Sequence, residues 1–210
     1  MRNYFSKAKI QYMFYVLTHP MDGFYEIRHR EKGSVPLAIL TVILFSISYT
    51  INRMSASFIV NEINPRTVDL LSDLQGVLVI FFLFCVGNWS ITCLMNGEGR
   101  LKDIVTVVGY SLLPMVLTYL PATLLSLALS DEEVIFYSII IWVGTAWSVI
   151  LAIAGIMIVH NYTSGKTLIT LILTILAMLI IMFILMMLFT LLQQVYSFLY
   201  SIYTELKFRT

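Results

Sequence analysis

Residues 168–192 read LITLILTILAMLIIMFILMMLFTLL, twenty-five positions without one charged side chain. Wound as a helix, that length rises about 37 Å, enough to cross a hydrocarbon core of about 30 Å. The stretch is apolar on every side, so it has no polar face to turn to water. Four further runs of the same kind lie upstream: Val35–Asn52, with Pro36 near its start where a missing N–H does no harm, Leu74–Leu94, Ile104–Leu127, which contains Pro114 and Pro121, and Val134–Val159. No segment shows the ten-residue alternation of a barrel strand. The fold class expected is therefore all-α, a polytopic membrane bundle of five transmembrane helices. The chain divides into an amphipathic N-terminal segment (1–34), the five-helix domain (35–194) and an interfacial aromatic tail (195–210).

Composition agrees. Of 210 residues, 59% are apolar and 12% charged, half the charge of an ordinary soluble domain. Thirteen Lys and Arg against twelve Asp and Glu give no basic field, which argues against nucleic acid as a partner. Residues 1–20 mix Lys7, Lys9 and Gln11 among apolar residues, so no cleavable signal is expected and the first span would direct insertion. Cys85 and Cys93 stand eight residues apart on one helix, about 12 Å of rise, too far for a mutual disulfide.

An odd number of spans puts the chain ends on opposite faces. With the N-terminus inside, the inner segments hold Arg2, Lys7, Lys9, Arg28, Arg30, Lys32, Arg100, Lys102 and Lys166, and the outer ones Arg53, Arg66, Lys207 and Arg209. That excess of inner bases predicts a cytoplasmic N-terminus and an external C-terminus. Residues 130–133, with three acids and no base, suit an outer loop. Two segments are expected to lie on the membrane surface. Ile10, Met13, Phe14 and Leu17 form a helical stripe beside Lys7 and Lys9, suited to an anionic leaflet, or else to a partner protein. Tyr196, Phe198, Tyr200 and Tyr203 form an aromatic belt at the other end.

Lipid gives helices no hydrophobic reason to associate, so small and weakly polar residues mark their contacts. The second span carries Asn88 and Thr92; the third Thr106, Tyr110, Pro114 and Thr118; the fourth Gly144, Thr145, Ser148 and Ala152; the fifth Thr170 and Thr174. These stripes read as helix packing or as the lining of a path between helices. The two prolines of the third span predict a distorted helix with freed carbonyls. Ion-coupled carriers place Asp, Glu, His or Lys at mid-membrane, whereas here Asp73 and His160 sit at helix ends.

Enzyme signatures are lacking: there is no HExxH, GxSxG, P-loop or CxxC. His29 beside Glu26 and Glu31 reads as a solvated charge cluster rather than a metal site. Asn96-Gly97-Glu98-Gly99-Arg100 follows no strand and reads as a tight turn. Asn161-Tyr162-Thr163 is a glycosylation sequon on the inner side, where it would be silent. No catalytic residue, metal or cofactor is expected.

That glycine-rich turn, continued by Leu101-Lys102-Asp103 and then by Val108-Gly109-Tyr110-Ser111-Leu112-Leu113-Pro114, resembles the Yip family of five-span membrane proteins (Ypt-interacting proteins). Pro20 followed by a short helix with Phe24 and Ile27 leading into Pro36, and His160 before the polar turn Ser164-Gly165-Lys166, resemble it too. The resemblance covers roughly residues 15–192. It implies a five-helix bundle with the N-terminus inside and the C-terminus outside, and it supplies no catalytic residues. Eukaryotic members act in vesicle traffic with small GTPases and carry a longer N-terminal region. The short one here favours a bacterial member in the cytoplasmic membrane. Some bacterial relatives look like accessory subunits of transport systems, including oligosaccharide importers. The function expected is a non-enzymatic accessory or scaffold protein that binds the bilayer and other integral membrane subunits, such as ABC-type permeases. The alternatives are a small transporter or channel, and a membrane-shaping or trafficking factor.

Overall fold

The computed structural model describes residues 6–61 and 63–209; Arg2, counted among the inner bases, lies outside them. Among the described residues every regular element is helical. The elements are α1 (Lys7–Thr18), α2 (Pro20–Arg30), α3 (Val35–Ser55), α4 (Leu70–Leu94), α5 (Leu101–Ser111), α6 (Leu113–Ser126), α7 (Val134–His160) and α8 (Ser164–Arg209), with short 3-10 turns at Pro65–Thr67 and Asp131–Glu133. Five stretches are long and apolar enough to cross a membrane: α3, α4, α5 with α6, α7 and α8.

The third span is two helices. Pro114 has no N–H to offer, and α5 closes in a 3-10 fashion, the Leu112 N–H reaching the Gly109 carbonyl at 3.3 Å, before α6 restarts with Pro114 in its first turn. Pro121 lies inside α6 without interrupting it. The other starts are equally local. Pro36 stands in the first turn of α3, and the Asp69 carboxylate accepts the N–H groups of Leu71 and Ser72 to cap α4.

The bundle is built around α3, which packs on α4, α5 and α6, while α8 packs chiefly on α4 and α7 on α6. Gly109 sets the α3–α5 distance: a Cβ there would stand 2.6 Å from the Ala38 Cβ and 2.8 Å from its Cα and carbonyl oxygen. The core joins Leu37 and Ala38 of α3, Val107 and Tyr110 of α5, and Leu151, Ile156 and Val159 of α7 to Met13 and Val16 of α1 and Phe24 and Ile27 of α2.

That core corrects the reading of the N-terminal stripe. α1 does not lie across a surface on Ile10, Met13, Phe14 and Leu17. Its buried face is Met13 with Val16; Ile10 and Phe14 point outward and Leu17 is half-buried. α1 and α2 form a hairpin, closed where the Tyr12 hydroxyl donates to the Gly23 carbonyl at 2.7 Å and where Gly23 lets Val16 approach. The hairpin enters at Lys9, whose ammonium donates to the Gly33 carbonyl. It then runs down the bundle, with Thr41 of α3 donating to the Met13 sulfur, until the Trp147 indole N–H donates to the Leu17 carbonyl at 3.2 Å. Trp147 is thirteen residues from the end of α7, about 20 Å by helical rise. The tip, Thr18-His19-Pro20, is therefore level with the middle of α7. The buried face is the one that finds partners: Met13 and Val16 join Phe24 and Ile27 in one core.

At the other end α8 runs unbroken through Gln193 and Gln194 to Arg209, 46 residues in all, so the aromatic tail continues the helix of the fifth span. Every described side chain from Met182 to Tyr203 is exposed.

Candidate functional site

The polar chemistry of this chain sits in three places: one charged end of the bundle, the seams between helices, and a small network at the opposite end.

The charged end is organised by the Asn96–Arg100 turn. Asn96 takes the left-handed conformation that ends α4, at φ 55°, while neither glycine needs positive φ. Gly97 and Gly99 are required for space instead. A Cβ on Gly97 would stand 2.6 Å from both His160 Nδ1 and the Tyr162 hydroxyl, and one on Gly99 would stand 2.6 Å from His160 Cε1. The buried His160 imidazole accepts the Gly99 N–H on Nδ1 at 3.1 Å, and Tyr162 stacks on it at 5.4 Å between ring centres. The Tyr162 hydroxyl donates to the Met95 carbonyl at 3.2 Å, one of the orphan carbonyls at the end of α4; burial, first of all, pushes this phenol above its ordinary value. Arg28 of α2 closes the other side. Its guanidinium donates to the Val159 carbonyl at 3.0 Å, to the Glu98 carbonyl, and to the Glu98 carboxylate at 3.3 Å. One turn thus ties the ends of α2, α4 and α7 together.

Around it run ion pairs. Asp103 is buried, its carboxylate accepting both the backbone N–H and the side-chain Nε of Arg100 at 3.2 and 3.0 Å. Lys102 and Arg100 reach Glu31 at 2.8 and 3.5 Å, and Arg30 and Lys32 reach Glu26. The Lys32 hydrogen bond, before any other cause, holds the Glu26 carboxyl below its usual range. The His29 ring bonds to the Tyr25 carbonyl, and among the described residues no group of three His, Cys, Asp or Glu is placed to hold a metal. Cys85 is buried, Cys93 exposed, and both are free thiols.

The stripe residues divide between seams. Asn88, Thr92, Thr170 and Thr174 lie in the α4–α8 seam, where the Asn88 amide donates to the Thr174 hydroxyl at 3.1 Å. Thr174 and Thr170 donate to the carbonyls of Thr170 and Lys166, and Thr92 donates to that of Trp89. Thr106 and Tyr110 lie on the buried face of α5, where the Tyr110 hydroxyl accepts the Ser34 N–H at 3.1 Å. Pro114, Thr118, Gly144, Thr145, Ser148 and Ala152 belong to the α6–α7 region. Thr118 donates to the Pro114 carbonyl at 3.0 Å, and Gly144 leaves it room, since a Cβ would stand 2.1 Å from its hydroxyl. Thr145 bonds back to Ile141; Ser148 is buried and Ala152 half-buried. α3 and α5 stand between the two seams. The crevices beside them are lined almost wholly by apolar side chains: about 570 Å³ between α4 and α8, and about 500 Å³ among α1, α6 and α7.

The third place was missed from the sequence. Near the far end of α3, Asn52 donates to the Thr123 hydroxyl at 2.8 Å and accepts from the Tyr137 hydroxyl at 2.9 Å, joining α3, α6 and α7. Thr50 donates to Asp73 at 3.0 Å and Arg53 pairs with the same carboxylate. The available signal was the four-residue step Ser46–Thr50 leading to Asn52, masked because the first span was taken to end there.

A family model described as the Yip1 domain matches residues 14–186. No curated protein and no solved structure matches the chain.

Proposed function

Because the chain belongs to the Yip family of multi-pass membrane proteins, whose members are trafficking-related rather than known enzymes, we propose that it is a non-enzymatic scaffold or accessory subunit working by contact with other integral membrane proteins. The observation that carries the reading is the division of the intramembrane polar residues between separate seams. Most of them bond across a helix pair or back to their own backbone, as packing groups do, while the Ser148 hydroxyl and the Asn88 carbonyl oxygen are buried without a partner. A path would need them to face one shared cavity. On this reading the charged end lies in the cytoplasm, in keeping with its excess of bases, the membrane is the bacterial cytoplasmic membrane, and the partner is a polytopic subunit such as an ABC-type permease. The α1–α2 hairpin offers the contact surface, with Ile10, Phe14, Met21 and Tyr25 turned outward.

The test is photo-crosslinking in native membranes from Phe14 and Met21, compared with Leu168 on the lipid side of α8. The expected result is a discrete adduct with one integral membrane protein from the hairpin positions alone. Purified protein that drives solute flux in liposomes, with flux abolished by Asn88→Leu, would overturn this reading in favour of a transporter.

A further inference from the structure

α8 carries one stripe from end to end, and only half of it is covered. Thr167, Leu171, Thr174 and Met178 face α4: the two threonines are fully buried, and Met178 packs against Gly87. The same alternation of four- and three-residue steps continues without a slip through Ile181, Leu185, Leu188, Leu192, Val195, Leu199 and Ile202. α4 leaves this stripe at Ile181 and Leu185, which line the mouth of the apolar crevice. From Leu185 to Ile202 the stripe residues are each 40–64% exposed.

We propose that copies of this chain associate in parallel through this bare half of α8. Four arguments single out a second copy as the occupant. The helix is 46 residues long, about 69 Å, more than twice a hydrocarbon core, so a core crossed by residues 168–192 leaves its last four or five turns beyond it, with nothing in the described chain to pack on. Gln193, Gln194, Ser197, Ser201 and Thr204 occupy the opposite face of those turns, so the stripe is their more apolar side. Copies inserted with one topology send this helix out of the bilayer on one side, parallel and in register, which is what an uninterrupted heptad requires. The flanking positions carry Phe189, Leu191, Tyr196, Phe198 and Tyr203, with Glu205 as their one charge, too little of a charge code to select a different partner. The bare residues also continue an interface the chain already uses, the α4–α8 seam. Four of the flanking residues are aromatics that bury about 150–250 Å² each. With the stripe they bring the face to the order of the 800 Å² per partner that a specific interface uses. Leucine at one core position (185, 192, 199) and Ile or Val at the other (181, 188 excepted, 195, 202) favour three or four strands over two.

The test uses the full chain in its own membrane, with Cys85 and Cys93 replaced by Ala and helicity checked by circular dichroism. Single cysteines go to the seam (Val195→Cys, Leu199→Cys) and to the polar face (Ser197→Cys, Ser201→Cys). Mild oxidation is expected to give covalent dimers at least tenfold faster at 195 and 199 than at 197 and 201. Photobleaching of the unmodified, singly labelled chain in dilute liposomes is expected to show three or four steps, falling to one in Leu199→Lys at unchanged helicity. Equal crosslinking rates around the helix, or single-step bleaching of the unmodified chain, overturns the proposal.

Discussion

Gly109→Ala tests the packing on which the bundle depends, because the structure fixes both the size and the sign of its effect. The added methyl would lie 2.6 Å from the Ala38 Cβ and 2.8 Å from the Ala38 Cα and carbonyl oxygen. Carbon atoms settle at about 3.5–4.0 Å, so α3 and α5 must part by about 1 Å. Backbone is what the methyl meets, so no rotamer change absorbs it. Overpacking of this kind costs about 1–3 kcal/mol. Against it stands the helix propensity of Ala over Gly, about 0.8–1 kcal/mol. The net runs from about zero to a loss of about 2 kcal/mol. Gly76 provides the opposite sign: a Cβ there meets nothing within 4 Å, so Gly76→Ala leaves stability unchanged or raises it by up to about 1 kcal/mol. Ala38→Gly added to Gly109→Ala removes the 2.6 Å contact but leaves the two at 2.8 Å and gives up about 0.8–1 kcal/mol of helix propensity in α3, so the pair does not return to the parent's stability. Reversible unfolding in mixed micelles, followed by circular dichroism, reads all four proteins. If Gly109→Ala is more stable than the parent, by the helix propensity alone as in Gly76→Ala, the close approach of α3 and α5 is wrong.

Three further outcomes follow from the same coordinates. Asn88→Leu removes one interhelical hydrogen bond, of about 0.6 kcal/mol on average in bilayers, together with a buried carbonyl oxygen that has no partner, so the same unfolding assay should register a change within about 1 kcal/mol. Gly99→Ala pushes His160 and Val159 from the turn, and limited proteolysis should cut at Arg100 or Lys102 faster than in the parent. Asp69 is held below its ordinary 3.8, first by the Ser72 hydroxyl and then by the Leu71 and Ser72 N–H groups. A depressed carboxyl stabilises above its unfolded value and loses that contribution as pH falls through the folded one, so the difference in melting temperature between the parent and Asp69→Ala should close only below pH 3.8.

The spans were legible because the bilayer imposes one length and one composition on all of them. The break at Leu112 was legible too, since Pro114 removes a donor wherever it falls. What escaped were relations between distant residues. Nothing local says that Gly97 and Gly99 exist to seat His160, sixty residues on; the turn they form explains them well enough. Nor does the Ile10–Leu17 stripe say that Val16, one step off it, is the residue that finds Phe24 and Ile27. A stripe gives a face, and tertiary competition decides which part of that face is buried. The Asn52 network was lost to a boundary, because a polar residue at the edge of an apolar run looks like the end of the run.

The bounds of the family match carry one more step. They run from residue 14, inside α1, to residue 186, the neighbourhood of Leu185, where α8 leaves α4. The shared unit therefore contains most of the hairpin, the turn that ties α2, α4 and α7, both polar seams and the covered half of α8. A surface helix adjoining a five-span bundle could be gained or lost without disturbing it. A hairpin that supplies Met13, Val16, Phe24 and Ile27 to the central core cannot, which explains why the match reaches back past the first span. Beyond Leu185 the stripe of α8 packs on nothing else in the described chain, so a single copy gives its turns past residue 192 no cover, and the association proposed above would supply it.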